Sequence, residues 1–472
     1  MKKIQSCIAL IISGIAVLPS MAMAFCPPDY PEKGVLGTHL EHPDLANGHA
    51  PLDKIIDEGR RLFTAQFNKC DGIGRPATTG GGVKREATQP MFIRTSSPET
   101  NSCAGCHAQP FVGGSGEFVT NAFILAQRLD PVTESVSNQF SNERNTLGMH
   151  GAGAIEMVAR EMTYDLRAQA AALPDGEHTI SSKGIDFKIV KENGEVTYSE
   201  GIRKDLMVRP FAQSGNIASI RHFTIDAMNH HHGMQAEERF DLFAGKNFES
   251  DHDEDGVHRE LSIGDITALT VFQAALPVPT QVLPESHEER VAIRQGKRLF
   301  KEIGCASCHK PKLVLSSPLF SEPSPLNAVH TFNDVSQSIV WDMTSEGPSP
   351  RLGRDRKGNV VVRAYTDLKL HNLCDDESRL DAIRFYCNET LDQDRQAHGD
   401  KPGREFFLTR KLWDVGSSAP YGHRGDITTI TEAILYHGGE GRVSRDNFEN
   451  LPPVKQKKVV DFLKSLQVVE NN

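Results

Sequence analysis

The sequence predicts a mainly α-helical protein built from two similar halves, with a small β insertion in the first. Three observations carry that prediction. A C-x-x-C-H motif occurs twice, as Cys103-Ala104-Gly105-Cys106-His107 and as Cys305-Ala306-Ser307-Cys308-His309. Each follows a Gly-x-x-Leu-Phe stretch of helical character, Gly59 to Phe63 and Gly296 to Phe300. Between the halves, residues 178–208 alternate apolar and polar about Asn193-Gly194, the pattern of a β-hairpin.

C-x-x-C-H is the spacing for covalent attachment of a c-type haem. The thiols of Cys103 and Cys106, and of Cys305 and Cys308, would add across the two vinyl groups. His107 and His309 then stand where a proximal iron ligand is needed. A redox or zinc pair with a bystander histidine is the competing reading. Zinc sites usually call for a second C-x-x-C or an H-x-x-x-H close by, which weighs against it. The chain therefore reads as two tandem cytochrome-c-like haem domains. The second Gly-x-x-Leu-Phe stands 9 residues before its motif, from Gly296 to Cys305; the first stands 44 before, from Gly59 to Cys103. The added residues include Thr78-Thr79-Gly80-Gly81-Gly82 and read as a surface loop.

The first 24 residues are a processing signal rather than fold. Lys2 and Lys3 precede an apolar run from Ile8 to Leu18, and Ala22-Met23-Ala24 fits a cleavage site. Cleavage after Ala24 makes the expected location the periplasm. No later run approaches the roughly 20 apolar residues of a membrane span, so the protein is not expected to be membrane-embedded. Losing both lysines takes the formal charge from −10 to −12. That balance argues against a nucleic-acid partner and suits docking to a small redox partner protein as electron donor. A solvated acidic surface is the plainer explanation. Cys26, Cys70, Cys374 and Cys387 remain outside the haem motifs in the processed chain. An even remainder in an oxidising compartment points to two disulfides, with three connectivities open. The short loop favours Cys374–Cys387, which leaves Cys26–Cys70.

A weaker echo relates Arg144-Asn145-Thr146-Leu147 to Arg410-Lys411-Leu412-Trp413, each leading to a helix, Ile155 to Met162 and Ile430 to Tyr436. Ser262 to Ala275 reads as a helix capped by Ser262 and ending before Pro277-Val278-Pro279, the expected interdomain linker. Val459, Phe462, Leu463 and Leu466 form the buried stripe of a C-terminal helix. The expected division is a signal peptide over 1–24, an N-terminal haem domain over 25–280 with its β insertion at about 176–208, and a C-terminal haem domain over 281–472. Asp251, Asp253 and Asp255 alternate ahead of Gly256, with Glu260 in position to close a calcium loop. The loop departs from an EF-hand in having Ser262 at its twelfth position, and an acidic surface loop is the alternative.

Further motifs make the chain resemble the di-haem oxidoreductase family of the bacterial di-haem cytochrome c peroxidase superfamily. They are Ala364-Tyr365-Thr366-Asp367-Leu368-x-Leu370-His371, Leu412-Trp413-x-x-Gly416, Pro420-Tyr421-x-His423-x-Gly425 and Glu432-Ala433-Ile434-Leu435-x-His437-Gly438-Gly439-Glu440. His371-Asn372-Leu373-Cys374 departs from the His-Asp-Met-Gly of many members, so any role of that methionine is lost. The resemblance implies His437 as sixth ligand of the second haem, with His423 and His371 as the alternative ligands; His423 more readily bonds a propionate or orders its turn. It implies Glu156 near the distal face of the first haem as general acid–base, with His150 as rival shuttle or ligand. His230-His231-His232-x-Met234 also offers ligands, although a solvent-exposed run is the plainer reading. Trp413 is the better of the two tryptophans for a place between the haems, against a simple core role. The function implied is a peroxidase-like oxidoreductase, one haem receiving electrons and the other reducing peroxide or oxidising another small substrate. A non-catalytic di-haem electron carrier is the alternative. The superfamily also holds rubber oxygenases and a quinone-cofactor maturation enzyme.

Overall fold

A computed structural model describes residues 30–74, 98–120, 144–244, 256–328, 331–387 and 403–470, apart from Phe118 and Arg404. The signal segment, Cys26, the Gly/Thr-rich loop and Asp251, Asp253 and Asp255 lie outside the described residues.

Two helix pairs, one in each half, frame the C-x-x-C-H motifs. Helix α1 (Leu52–Thr64) buries Ile55, Ile56, Gly59, Leu62 and Phe63, a stripe at helical spacing. Helix α2 (Ala152–Ala172) is far longer than the predicted Ile155 to Met162 and buries almost its whole first half. Strands β1 (Gly176–Ser182), β2 (Ile185–Glu192) and β3 (Glu195–Ser199) form an antiparallel meander in that order. The insertion is thus three strands, not one hairpin. Asn193-Gly194 turns as predicted, and Lys183-Gly184 makes a second turn, all four residues at positive φ. Such φ pairs give the two-residue turn whose twist matches the strands. Ile185, Phe187 and Ile189 alternate inward and bury against α2.

Helix α3 (Ile220–Ala227) runs on into a π turn over Met228–His232. Helix α4 (Ile263–Ala275) begins at Ser262, whose hydroxyl accepts from the Asp265 N–H while the Asp265 carboxylate accepts from the Ser262 N–H. This reciprocal cap satisfies donors that a helix start leaves open. Helix α5 (His287–Glu302) is the counterpart of α1. Helix α6 (Ile430–Leu435) and helix α7 (Pro453–Lys464) close the chain. Val459, Phe462, Leu463 and Leu466 are buried, as their spacing predicts.

The pairs α1–α4 and α5–α7 have the same contact. A Cβ on Gly59 would lie 2.0 Å from the Ala268 carbonyl oxygen, and one on Gly296 would lie 1.8 Å from that of Lys458. Phe63 meets Phe272 at 5.2 Å and Phe300 meets Phe462 at 5.5 Å. Only glycine lets the backbones come so close.

The sequence reading missed the strands Leu313–Leu315, Leu319–Glu322, Ile339–Asp342 and Val360–Val362. They follow the second haem motif in sequence, but Leu315, Phe320, Trp341 and Val362 bury in the core formed with α2. Short strands of this kind carry little alternation of their own, and tertiary packing decides them. The fold is therefore less purely helical than predicted. Pro277-Val278-Pro279 is no open linker, because Val278 is buried and donates its N–H to the Pro350 carbonyl at 2.9 Å.

Cys374 and Cys387 are joined, as the loop length favours. Cys70 is also disulfide-bonded. Among the described residues no helix is long and apolar enough to cross a membrane.

Candidate functional site: two adjoining histidine and cysteine cavities

Each C-x-x-C-H opens into its own cavity. Cys103, Cys106 and His107 line one of about 400 Å³. Cys305, Cys308 and His309 line another of about 270 Å³. All four cysteines are free thiols. His107 Nδ1 lies 3.2 Å from the Gly114 carbonyl oxygen, and His309 Nδ1 lies 3.0 Å from that of Tyr365. A carbonyl can only accept, so it fixes the proton on Nδ1 and leaves Nε2 as the ring nitrogen for a metal. Burial pushes both histidines down to about 4, against the opposing pull of those carbonyls. Both rings are therefore neutral near pH 7, as metal ligation requires. The two sites match in detail, since Phe63 packs 6.2 Å from His107 and Phe300 packs 6.3 Å from His309.

The weaker echo noticed in sequence has a physical meaning. The Leu147 carbonyl reaches His107 and the Arg410 carbonyl reaches His309. Each stretch thus lies over its own histidine. The cavities share a wall that includes Asn145, Leu147, Thr409, Arg410, Lys411 and His423. Asn145 ties it together, its N–H donating to the His423 carbonyl at 2.8 Å and its amide to that of Pro420 at 2.7 Å. Arg410 and Lys411 are both held below their usual range by burial, relieved by Asp414. Two desolvated cations beside a single carboxylate suit the acidic groups of a bound molecule.

His437 lines the cavity of His309 and depresses it by charge. Its Nδ1 lies 2.8 Å from the Ala433 carbonyl, so here too Nε2 is left for a metal. His371 is held by Asp367 at 3.0 Å and Glu440 at 2.7 Å. Burial alone would lower it, but Asp367, Cys308 and Glu440 together raise it to about 12. It therefore stands as a cation lining the cavity, and with Cys308 and Asp367 it forms a group whose ligand atoms lie within 4.8 Å of one another.

Other predicted residues lie elsewhere. Glu156 is fully buried in an ion pair with Arg160 at 2.6 Å and accepts the Ile220 N–H at 2.9 Å. His150 is buried with its ring edge-on to Phe111 at 5.2 Å, and burial pushes it down to about 4. Neither lines a cavity. Their neighbours Met149, Ala152 and Ile155 take the lining positions, as the helix turn dictates. Trp413 is buried against Gly151 and sits behind the shared wall rather than in it. Glu260 is buried and accepts the Gln235 N–H at 2.7 Å. The histidine run is not an exposed surface. His232 is buried and bonds the Thr100 carbonyl at 2.8 Å, and His230 and His231 line the cavity of His107. The signal for them in the sequence is their separation from His107, 124 residues for His231, close to the 128 between His309 and His437.

The structure is therefore of the two-motif, two-cavity class, with free thiols, neutral histidines and buried cations that fit a pair of haems. Residues 353–466 match the family described as "Di-haem oxidoreductase, putative peroxidase". The match includes His371, Trp413, His423 and His437, and it bears out the resemblance read from the motifs. No curated protein matches the chain. Among solved structures, it is similar to the Kuenenia stuttgartiensis hydrazine synthase at 13% identity and TM-score 0.35, over 98% of this chain and 100% of that one. It is also similar to a MauG-like protein associated with microbial copper homeostasis at 14% identity and TM-score 0.35, over 89% and 92%.

Proposed function

We propose that the chain is an exported, periplasmic di-haem c-type cytochrome that acts as a peroxidase-like oxidoreductase. The haem domains are residues 25–280 and 281–472 after removal of 1–24. Cys103, Cys106, Cys305 and Cys308 would anchor the haems, and His107 and His309 would hold their irons. His437 would be a second ligand at the haem of His309, and a small redox protein would be its electron donor. Each bound haem supplies one-electron chemistry at its iron.

The observation that carries the reading is the pair of adjoining cavities, each lined by its own C-x-x-C-H. The chain's residues do three things there. Carbonyls of Gly114, Tyr365 and Ala433 orient the imidazoles. Arg410 and Lys411 supply positive charge on the shared wall, where propionates would meet it. Largely apolar linings exclude water, which strengthens those charges. A calcium ion at Asp251, Asp253, Asp255 and Glu260 remains part of the proposal; chelator-stripped protein should release heat on calcium addition.

One observation favours a second reading, a di-haem electron carrier without chemistry of its own. Glu156 and His150 face away from the first cavity, so neither stands ready to move a proton there. Peroxide turnover by the half-reduced, purified protein decides between the two. Turnover with one high-spin haem supports the oxidoreductase. No turnover with two low-spin haems in every redox state supports the carrier.

A further inference from the structure

The first half holds a second copy of the arm that delivers His437. Pro210-Phe211-Ala212-Gln213-Ser214-Gly215 stands 210 residues before Pro420-Tyr421-Gly422-His423-Arg424-Gly425. The backbones agree: Ala212 and Gly422 take φ of 64° and 79°, and Gly215 and Gly425 take 59° and 70°. Phe211 bridges to Ile217 as Tyr421 does to Ile427. Ser219 then caps α3 and Thr429 caps α6, each through its own hydroxyl. Gln213 and His423 both lie on the wall common to the two cavities.

The arms differ by one turn. His437 follows Thr429 by 8 residues, and His231 follows Ser219 by 12, through the π turn. Four added residues are about one helical turn, so the face is kept. Phe223, Ala227 and His231 line the cavity of His107, as do Thr224, Met228, His230 and His232, but His232 has its Nε2 against the Cys103 sulfur at 3.6 Å. His231 stands 124 residues after His107, and His437 stands 128 after His309.

His231 is also held as a ligand would be. Its Nδ1 lies 2.6 Å from Glu99 Oε2, and its carbonyl accepts the Glu99 N–H at 2.8 Å. Glu99 stands four residues before Cys103, so the segment entering the haem motif also fixes the imidazole. With the Nδ1 proton directed at a carboxylate, Nε2 keeps its lone pair.

We infer that His231 is the sixth ligand of the first haem, with Glu99 as its positioning residue, on the reading of residues 103–107 as a haem site. The two distal histidines then differ in basicity. His437 donates to a neutral carbonyl, whereas His231 donates to an anion and becomes the stronger donor. A haem held by His107 and His231 would then have a lower reduction potential than one held by His309 and His437.

The test uses the exported, haem-loaded chain, with both haems counted by mass. His231→Ala converts one of two low-spin haems to high-spin, and added imidazole restores it. Glu99→Gln keeps both haems low-spin and raises one midpoint potential, leaving the other in place. His230→Ala changes neither signature. Two low-spin haems in His231→Ala, or a high-spin first haem already in the parent protein, overturn the inference and leave the proposed function standing. If His231→Ala does not accumulate, an unchanged pair of potentials in Glu99→Gln overturns it. A chain that matures without haem overturns the proposed function, and this inference with it.

Discussion

Gly296 lies against the Lys458 carbonyl so closely that a Cβ would stand 1.8 Å from the oxygen. Gly59 has the same relation to Ala268 at 2.0 Å. These crossings place Phe300 and Phe63 beside His309 and His107. Alanine at either site gains about 1 kcal/mol of helix propensity but must push two helices apart. Gly296→Ala and Gly59→Ala should each lower stability by about 1–3 kcal/mol, the cost of overpacking. Denaturant midpoints of the haem-loaded variants measure it, and unchanged midpoints would mean the helices can separate freely.

Ser262 starts the helix that presents Phe272 to Phe63. Ser262→Ala removes one half of a reciprocal cap at a buried helix start. A loss of about 1 kcal/mol is expected. Ser262→Asp, which can accept the same N–H, should recover most of it in thermal unfolding.

A buried cluster of three carboxylates and two guanidiniums lies between α2, α3 and the strand Leu319–Glu322. Arg221 pairs with Glu238 at 2.8 Å and Glu322 at 2.9 Å, and Arg160 with Glu156 at 2.6 Å. One carboxylate is in excess. Burial raises Glu322 from 4.5 to about 7, with the Glu156 charge adding to the rise and Arg221 opposing it. A raised folded value means its contribution is fully present below about 4.5 and is lost as pH rises through about 7. The loss is roughly 3 kcal/mol. Glu322→Gln should flatten stability between pH 5 and 8 relative to the parent chain. A slope unchanged by the substitution would assign the proton elsewhere.

His437 and His309 both line the second cavity. His437→Ala should remove the low-spin optical signature of one haem while both haems stay attached. The variant should then bind added imidazole or carbon monoxide at that iron. Retention of the full low-spin spectrum would transfer the ligand role to another side chain.

The sequence by itself determined what is local or periodic. Two C-x-x-C-H motifs, two Gly-x-x-Leu-Phe helices, the Ser262 cap, the Asn193-Gly194 turn and the C-terminal stripe are each set by residues a few positions apart. Tertiary structure decided the rest, because it depends on which distant segment arrives at a given face. Glu156 and His150 suit the role by residue type, yet α2 carries Glu156, and the turn before it His150, to positions off the cavity lining. His231 looked like part of a solvated run, yet a π turn and Glu99, 132 residues earlier, bring it to His107. A side chain's chemistry is written in its own code; its direction is fixed by the packing of the helix that carries it.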